Sequence, residues 1–229
     1  MSNVSLVREY GRDDKMFVAK RMARHPVTVS PDSSVDEAMT AMRKGKFRRL
    51  PVVEEGRLVS FISDSDLMRV APSPATTLSR YEERSLLAKL KVRDIMPNKV
   101  ISVSEEATIE EAALIMEQNR IGGLPVISSV GAVVGVITET DIFKTFIDVM
   151  GLAEGKTRLT IEVDDKVGVV YDLAGIFKEA GLSIDSMVTC KEAGGKYEIV
   201  IRGDFPDIQG ISEKIAEKGY QVVHSVRIR

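Results

Sequence analysis

Between residues 34 and 71 the apolar positions recur first at helical spacing, then run continuously across a glycine-containing break, then return to helical spacing; residues 108 to 149 repeat that order. Val35, Ala38, Met39 and Met42, and again Ile109, Ala112, Ala113 and Met116, follow the i, i+3, i+4, i+7 stripe of a helix with one buried face. Ser34 with Glu37, and Thr108 with Glu111, have capping-box spacing, so the two helices start at matching places. Gly45 and Asn119 fall at corresponding points and are expected to supply the left-handed residue that ends each helix. "LPVVEEGRLVSFI" and "LPVISSVGAVVGVI" then read as hairpins, each followed by a second helix.

From Arg158 the period changes to two. Leu159, Ile161 and Val163 alternate with Thr160 and Glu162, as in a strand with one wet face. A helix follows Gly168 on the stripe Val170, Leu173, Ala174 and Phe177, and Gly181 stops it. Strand candidates flank residues 193–195, Ile208, Ile211 and Ile215 mark a helix ended by Gly219, and "YQVVHSVRIR" closes as a strand. The order βαββαβ is that of the ferredoxin-like split unit, whose open face and edges invite pairing with another copy.

The first pattern is a true duplication. At an offset of 74 residues, nine of the 31 positions from Met22 to Val52 are identical to those from Met96 to Val126, where ordinary composition gives roughly two. After one inserted residue, "LVSFISDSDLM" (58–68) overlies "VVGVITETDIF" (133–143), placing Ser63 on Thr138 and Asp66 on Asp141. A copy of about 60 residues has too little core to stand alone, so the copies are expected to pack face to face. The organisation expected is an extension at 1–15, a first repeat at 16–71, a linker at 72–88, a second repeat at 89–150, a short linker at 151–157 and the βαββαβ unit at 158–229. "APSPATT" opens the joining stretch, and "SRYEERSLLAKL" reads as a helix with a third capping box, Ser79 with Glu82. The fold class is therefore α+β: two duplicated βαββα units as a pseudo-two-fold pair, then a ferredoxin-like domain.

Charge narrows the partners. With 32 basic and 34 acidic residues the net charge is -2, which provides no global field for nucleic acid or an anionic membrane. No apolar run approaches the roughly 18 residues of a membrane span, and the first residues lack a signal-peptide core, so a cytoplasmic protein is expected. His25 and His224 lie in different predicted domains and no Cys/His cluster suggests a metal. "SDSD" (63–66) lacks the further acids and glycine of a calcium loop. His224, in phase with Val222, Val226 and Ile228, reads as a packed sheet or interface residue, and Cys190 as a buried, inert thiol.

With "LPV" before a hairpin and Ser or Thr three residues ahead of Asp after it, the duplicated unit resembles a pair of cystathionine beta-synthase (CBS) domains, over about residues 16–150. The tail, with "DKVG" at 165–168 and "AGLSID" after the helix, is similar to an ACT domain, although Val167 stands where that family's motif has proline. Two CBS units followed by an ACT unit resemble the acetoin-utilisation B type of regulatory protein. That resemblance implies a non-enzymatic sensor of an adenosine nucleotide (AMP, ADP or ATP) or S-adenosylmethionine, with no required cofactor, a homodimer and an unknown regulated protein. A homodimeric scaffold without ligand is the alternative.

The residue chemistry suits such a ligand. An ionised Asp accepts both hydroxyls of a ribose cis-diol, and the first-turn N–H groups beside Thr138 or Ser63 attract phosphate. A Ser or Thr three residues before Asp is equally a plain helix cap, and duplication does not separate the two readings. In CBS pairs each site is built across the halves. The resemblance thus implies one site from Val136, Thr138 and Asp141 facing Pro26, Phe47, Arg48 and Arg49, and another from Phe61, Ser63 and Asp66 facing Val100, Ile121, Gly122 and Gly123. The first has an apolar wall and two cations and is expected to prefer phosphorylated adenosine. The second has room but almost no positive charge, and is expected to be weaker, empty or suited to a less anionic ligand. Arg48 and Arg49 also read as a solvated strand edge. In the tail, Asp165, Gly168, Val169 and Ile184 are the implied amino-acid site, with Asp165 or Asp185 near the ammonium group, while Gly168 alone also reads as a tight turn into the helix.

Overall fold

The computed structural model of the protein describes residues 16–71, 79–152, 155–191 and 195–227. The expected extension at 1–15, nearly all of "APSPATT", residues 193 and 194, and Ile228 lie outside the described residues. The chain divides into two compact units, Met1–Phe143 and Lys144–Arg229.

In the first unit each repeat builds the same parts. Helices α2 (Val35–Gly45) and α5 (Ile109–Asn119) start at complete capping boxes on Ser34 and Thr108. The hairpin of β2 (Arg49–Glu54) and β3 (Arg57–Ser63) turns at Glu55 and Gly56, both with positive φ, which is the two-residue turn whose twist matches paired strands. Its counterpart is β5 (Gly123–Ile127) with β6 (Val133–Thr138). A parallel contact opens each repeat, Val29 against Val52 and β4 (Val103–Ser104) against β5. Helix α3 (Asp64–Val70) follows β3, and α6 (Glu139–Val149) follows β6.

The left-handed residues are not the expected ones. Gly45 and Asn119 remain helical, and Lys46 and Arg120, each with φ of 53°, close the two helices. Gly45 is small for another reason: a Cβ there would sit 1.7 Å from the Phe47 ring. The strained position therefore falls on a basic residue in both repeats.

Each repeat's leading segment packs on the other repeat. Helix α1 (Val18–Arg21) and β1 (Ala23–Arg24) open the first repeat, yet Val18 and Met22 join the core of Val103, Ile109, Met116, Leu124 and Ile137, and β1 pairs with β6. Helix α4 (Arg80–Lys89) leads into the second and the 3-10 turn Val92–Asp94 opens it, yet Leu87 and Val92 complete the core of Val35, Met42, Leu50, Val52 and Ile62. The isolated bridges Phe17–Thr108 and Ser34–Lys91 are the same contact repeated. This exchange supplies the apolar surface that one copy of this size lacks.

The second unit is a four-stranded antiparallel sheet in the order β10-β7-β9-β8: β7 (Thr157–Asp164), β8 (Ser186–Lys191), β9 (Lys196–Gly203) and β10 (Gln221–Arg227). With α7 (Val169–Glu179) and α8 (Ile208–Glu217) it has the expected βαββαβ order. Leu159, Ile161, Ile199 and Ile201 pack on Leu173, Ile176, Phe177, Ile211 and Ile215, and the Phe177 and Phe205 rings lie 4.9 Å apart. The buried stripe of α7 is Val169, Leu173, Ile176 and Phe177; Val170 is half exposed and Ala174 exposed, against expectation. The helix begins immediately after Gly168, whose φ of 100° turns Val169 to the core side. A register shift between Val222 and His224 breaks the expected phase: Val222 pairs with core residue Ile161, His224 pairs with Thr160, and His224 is exposed, not packed. Cys190 is exposed, not buried, because it lies near the end of β8.

Candidate functional site

The two Ser/Thr–Asp pairs stand where a strand ends and a helix begins. The Asp66 Oδ2 accepts the Ser63 backbone N–H at 2.9 Å and the Ser63 hydroxyl at 2.6 Å, and the Asp66 N–H donates to Ser63 Oγ. Likewise Asp141 Oδ2 accepts the Thr138 N–H at 2.9 Å and its hydroxyl at 2.7 Å. The capping reading is thus structurally present in both copies. It leaves a ligand role open at Asp66, since the cap uses one carboxylate oxygen and, among the described residues, Oδ1 has only Arg69 Nη1 at 3.7 Å, beyond hydrogen-bonding distance.

Two cavities lie beside these pairs. The first, about 420 Å³, is lined by Lys46, Phe47, Arg48, Arg49, Val136 and Thr138 together with Asp64, Ser65, Gly122, Glu139 and Thr140. It brings together Phe47, Arg48, Arg49, Val136 and Thr138 as expected, but Pro26 and Asp141 are not among its walls. The second, about 430 Å³, is lined by Phe61, Ser63, Asp66, Val100, Ile121, Gly122 and Gly123, all seven residues expected there.

The expected charge contrast is reversed. The second cavity also has Arg49, Arg69, Lys99 and Arg120 on its walls, with Asp66 as its carboxylate. The first has Lys46, Arg48 and Arg49 set against Asp64 and Glu139. Sequence reasoning missed Lys99 and Arg120 because it took only Val100 and Ile121, and each cation immediately precedes one of those residues. A signal was available: Arg120 and Lys46 are equivalent in the repeat, both are the left-handed residues closing their helices, and each lines one cavity.

The space expected at Gly122 and Gly123 is taken by Arg49. A Cβ on Gly122 would lie 2.6 Å from Arg49 Nη2 and 2.8 Å from Glu139 Oε2, and one on Gly123 would lie 3.2 Å from Arg49 Cδ. These glycines stand where the first repeat has Arg48 and Arg49, so the large side chain of one copy crosses the backbone of the other where that copy has none. Arg49, Ser65 and Gly122 line both cavities.

The tentative site in the second unit is not assembled within one chain. Gly168 and Asp165 follow the Asp164 end of β7, whereas Ile184 precedes β8, whose Ser186 is in the row of Arg202 and Arg158 at the opposite end. Six residues of strand separate those ends, roughly 20 Å. Val169 is in the core, and Asp185 is paired with Lys156 at 2.8 Å. Among the described residues, no group of three or more His, Cys, Asp or Glu side chains is arranged to hold a metal ion, and no helix is long and apolar enough to cross a membrane.

Residues 18–73 and 92–148 match the family model of the CBS domain. The two repeats are a pair of CBS domains. The CBS pair resembles the crystal structure of protein MJ1225 from Methanocaldococcus jannaschii, a putative archaeal homolog of g-AMPK by its description, at 30% identity and a TM-score of 0.50; the match covers 58% of this chain and 49% of that one. The chain thus spans about half the length of that protein. Also similar are CBSX2 in complex with AMP (25% identity, TM-score 0.48, 58% of this chain and 96% of that one) and an acetoin utilization protein (AcuB) from Vibrio cholerae (28%, 0.49, 60% and 94%). The family match covers the CBS pair and does not extend over the βαββαβ unit.

Proposed function

We propose that the CBS pair binds an adenosine nucleotide and that the chain is a regulatory sensor, not an enzyme. The second cavity carries this reading: a carboxylate fixed by its cap, Asp66, stands beside apolar walls from Phe61, Val100 and Ile121 and the cations Arg49, Arg69, Lys99 and Arg120. The carboxylate accepts ribose hydroxyls, the apolar walls take the base, and the cations offset phosphate charge. This cavity suits ADP or ATP better than AMP, because it holds more cations than one phosphate needs. The first cavity, where Asp64 and Glu139 oppose three cations, suits a less anionic adenosyl ligand such as S-adenosylmethionine. Binding regulates only through unequal affinity for two states of the pair.

The βαββαβ unit is read as an ACT domain that pairs two chains and adds a second, amino-acid signal; its element order supports the domain reading alone. A link to acetoin utilisation rests on the resemblance of this domain order to the acetoin-utilisation B type. Titration calorimetry with AMP, ADP, ATP and S-adenosylmethionine tests the nucleotide reading on the full chain and on Asp66→Ala and Asp141→Ala. Adenylate binding that Asp66→Ala weakens by about tenfold or more supports it. If none of the four ligands binds, the chain is a scaffold with vestigial cavities. No thermal stabilisation by any common amino acid would leave the ACT-like unit as a dimerisation module.

A further inference from the structure

The sheet of the second unit has a basic pair, with Arg202 buried and Arg158 partly buried, that neither the fold nor the nucleotide reading uses. Arg158 of β7 and Arg202 of β9 are direct partners in the antiparallel register, with Ser186 of β8 on the far side of Arg202. Leu159, Ile161, Ile199 and Ile201 point into the core, so strand alternation projects both arginines from the opposite face. Like charges at cross-strand spacing repel.

Desolvation makes the pair more costly. Arg202 is 9% exposed, and its Nε and Nη1 are sealed from solvent with no hydrogen-bond partner among the described residues. Arg158 donates from Nη1 to Thr160 Oγ1. Thr160 and Val200, which flank the pair on the same face, are 2% and 5% exposed, so the surroundings are dry. Nearby acids have other partners: Asp185 is bound to Lys156 at 2.8 Å, and Asp204 lies 3.9 Å from Arg227. Burial, and next the charge of Arg158, hold the Arg202 pKa below the usual arginine range. A buried guanidinium with two unmet donors beside a second cation is unfavourable unless an anion completes it.

We propose that Arg158 and Arg202 form a binding site for a small oxyanion, a carboxylate or phosphate, on the face of this sheet opposite α7 and α8. Nε–H with the Nη2–H beside it, or Nη1 with Nη2, presents two parallel donors to the oxygens of such a group, and the second arginine offsets its remaining charge. The site is independent of the CBS cavities, and of the α7 start, which lies beyond the other end of β7.

The test is thermal unfolding of the full chain in phosphate, sulfate, acetate and glycine against chloride at matched ionic strength. The wild type should gain roughly 3 °C with the preferred oxyanion near saturation. Phosphate and sulfate acting without acetate and glycine would identify a phosphate-like ligand, and the reverse a carboxylate. Arg202→Met should abolish the gain, and Arg158→Met, at the less buried partner, should reduce it even if Arg202→Met folds poorly. Lys99→Met/Arg120→Met, which strips the second CBS cavity, should retain it. The proposal is overturned if no oxyanion stabilises the wild type, if both arginine variants keep the full gain, or if the Lys99/Arg120 variant loses it.

Discussion

The first CBS repeat has Arg48 and Arg49 where the second has Gly122 and Gly123, and the cavities differ accordingly. Judged along the sequence, the arginine copy should offer the anion site and the glycine copy an empty one. In three dimensions Arg49 lies across the glycines and lines both cavities, while Lys99, Arg120 and Arg69 make the glycine side the more basic. Divergence between duplicated halves thus has to be read across the pseudo-two-fold axis, because a side chain gained by one copy fills space in the other.

Substitutions can break or sharpen that contrast. The largest effects should fall on what the repeats share: Leu50→Ala and Leu124→Ala each remove a fully buried side chain at an equivalent position and should cost about 2–5 kcal/mol in urea unfolding. Losses differing by more than about 2 kcal/mol would show that the exchanged cores are energetically unequal. Next, Lys99→Ala/Arg120→Ala should lower ATP affinity about 100-fold in calorimetry, and Lys46→Ala/Arg48→Ala less than about fivefold. The opposite ranking would restore the first cavity as the anion site. Arg49→Met should weaken anionic ligands at both cavities by roughly three- to tenfold. An effect confined to one cavity would remove the shared role of Arg49. Smallest, Ser34→Ala and Thr108→Ala should each cost about 1 kcal/mol through loss of a helix cap, with matched shifts in denaturation midpoint.

Much of the fold was legible because it depends on local rules. Capping boxes at Ser34, Ser79 and Thr108 start helices where the spacing indicates, the hairpins form, and the βαββαβ order follows from period and glycine placement. Single residues near element ends were less legible. The left-handed residue is Lys46 and not Gly45, which stays helical beneath the Phe47 ring. His224 changes faces because a register shift intervenes, and a bulge has no sequence signature in a polar edge strand. At the site, the members close to a repeated motif were found, and Asp64, Ser65, Glu139 and Thr140, which come from helix starts, were not.

By itself the sequence determined the duplication, through its self-identity, and also the helix starts, the alternation of the last unit and the Ser/Thr–Asp pairs, which depend on residues within one or two turns of each other. Only the tertiary structure decided which leading segment completes which core, which cations border which cavity, and that Arg202 is buried beside Arg158. The physical reason is range. Capping and periodicity act over three or four residues, whereas burial and charge neighbourhood depend on chain segments brought together from far apart, and a sequence read in order does not show which segments meet.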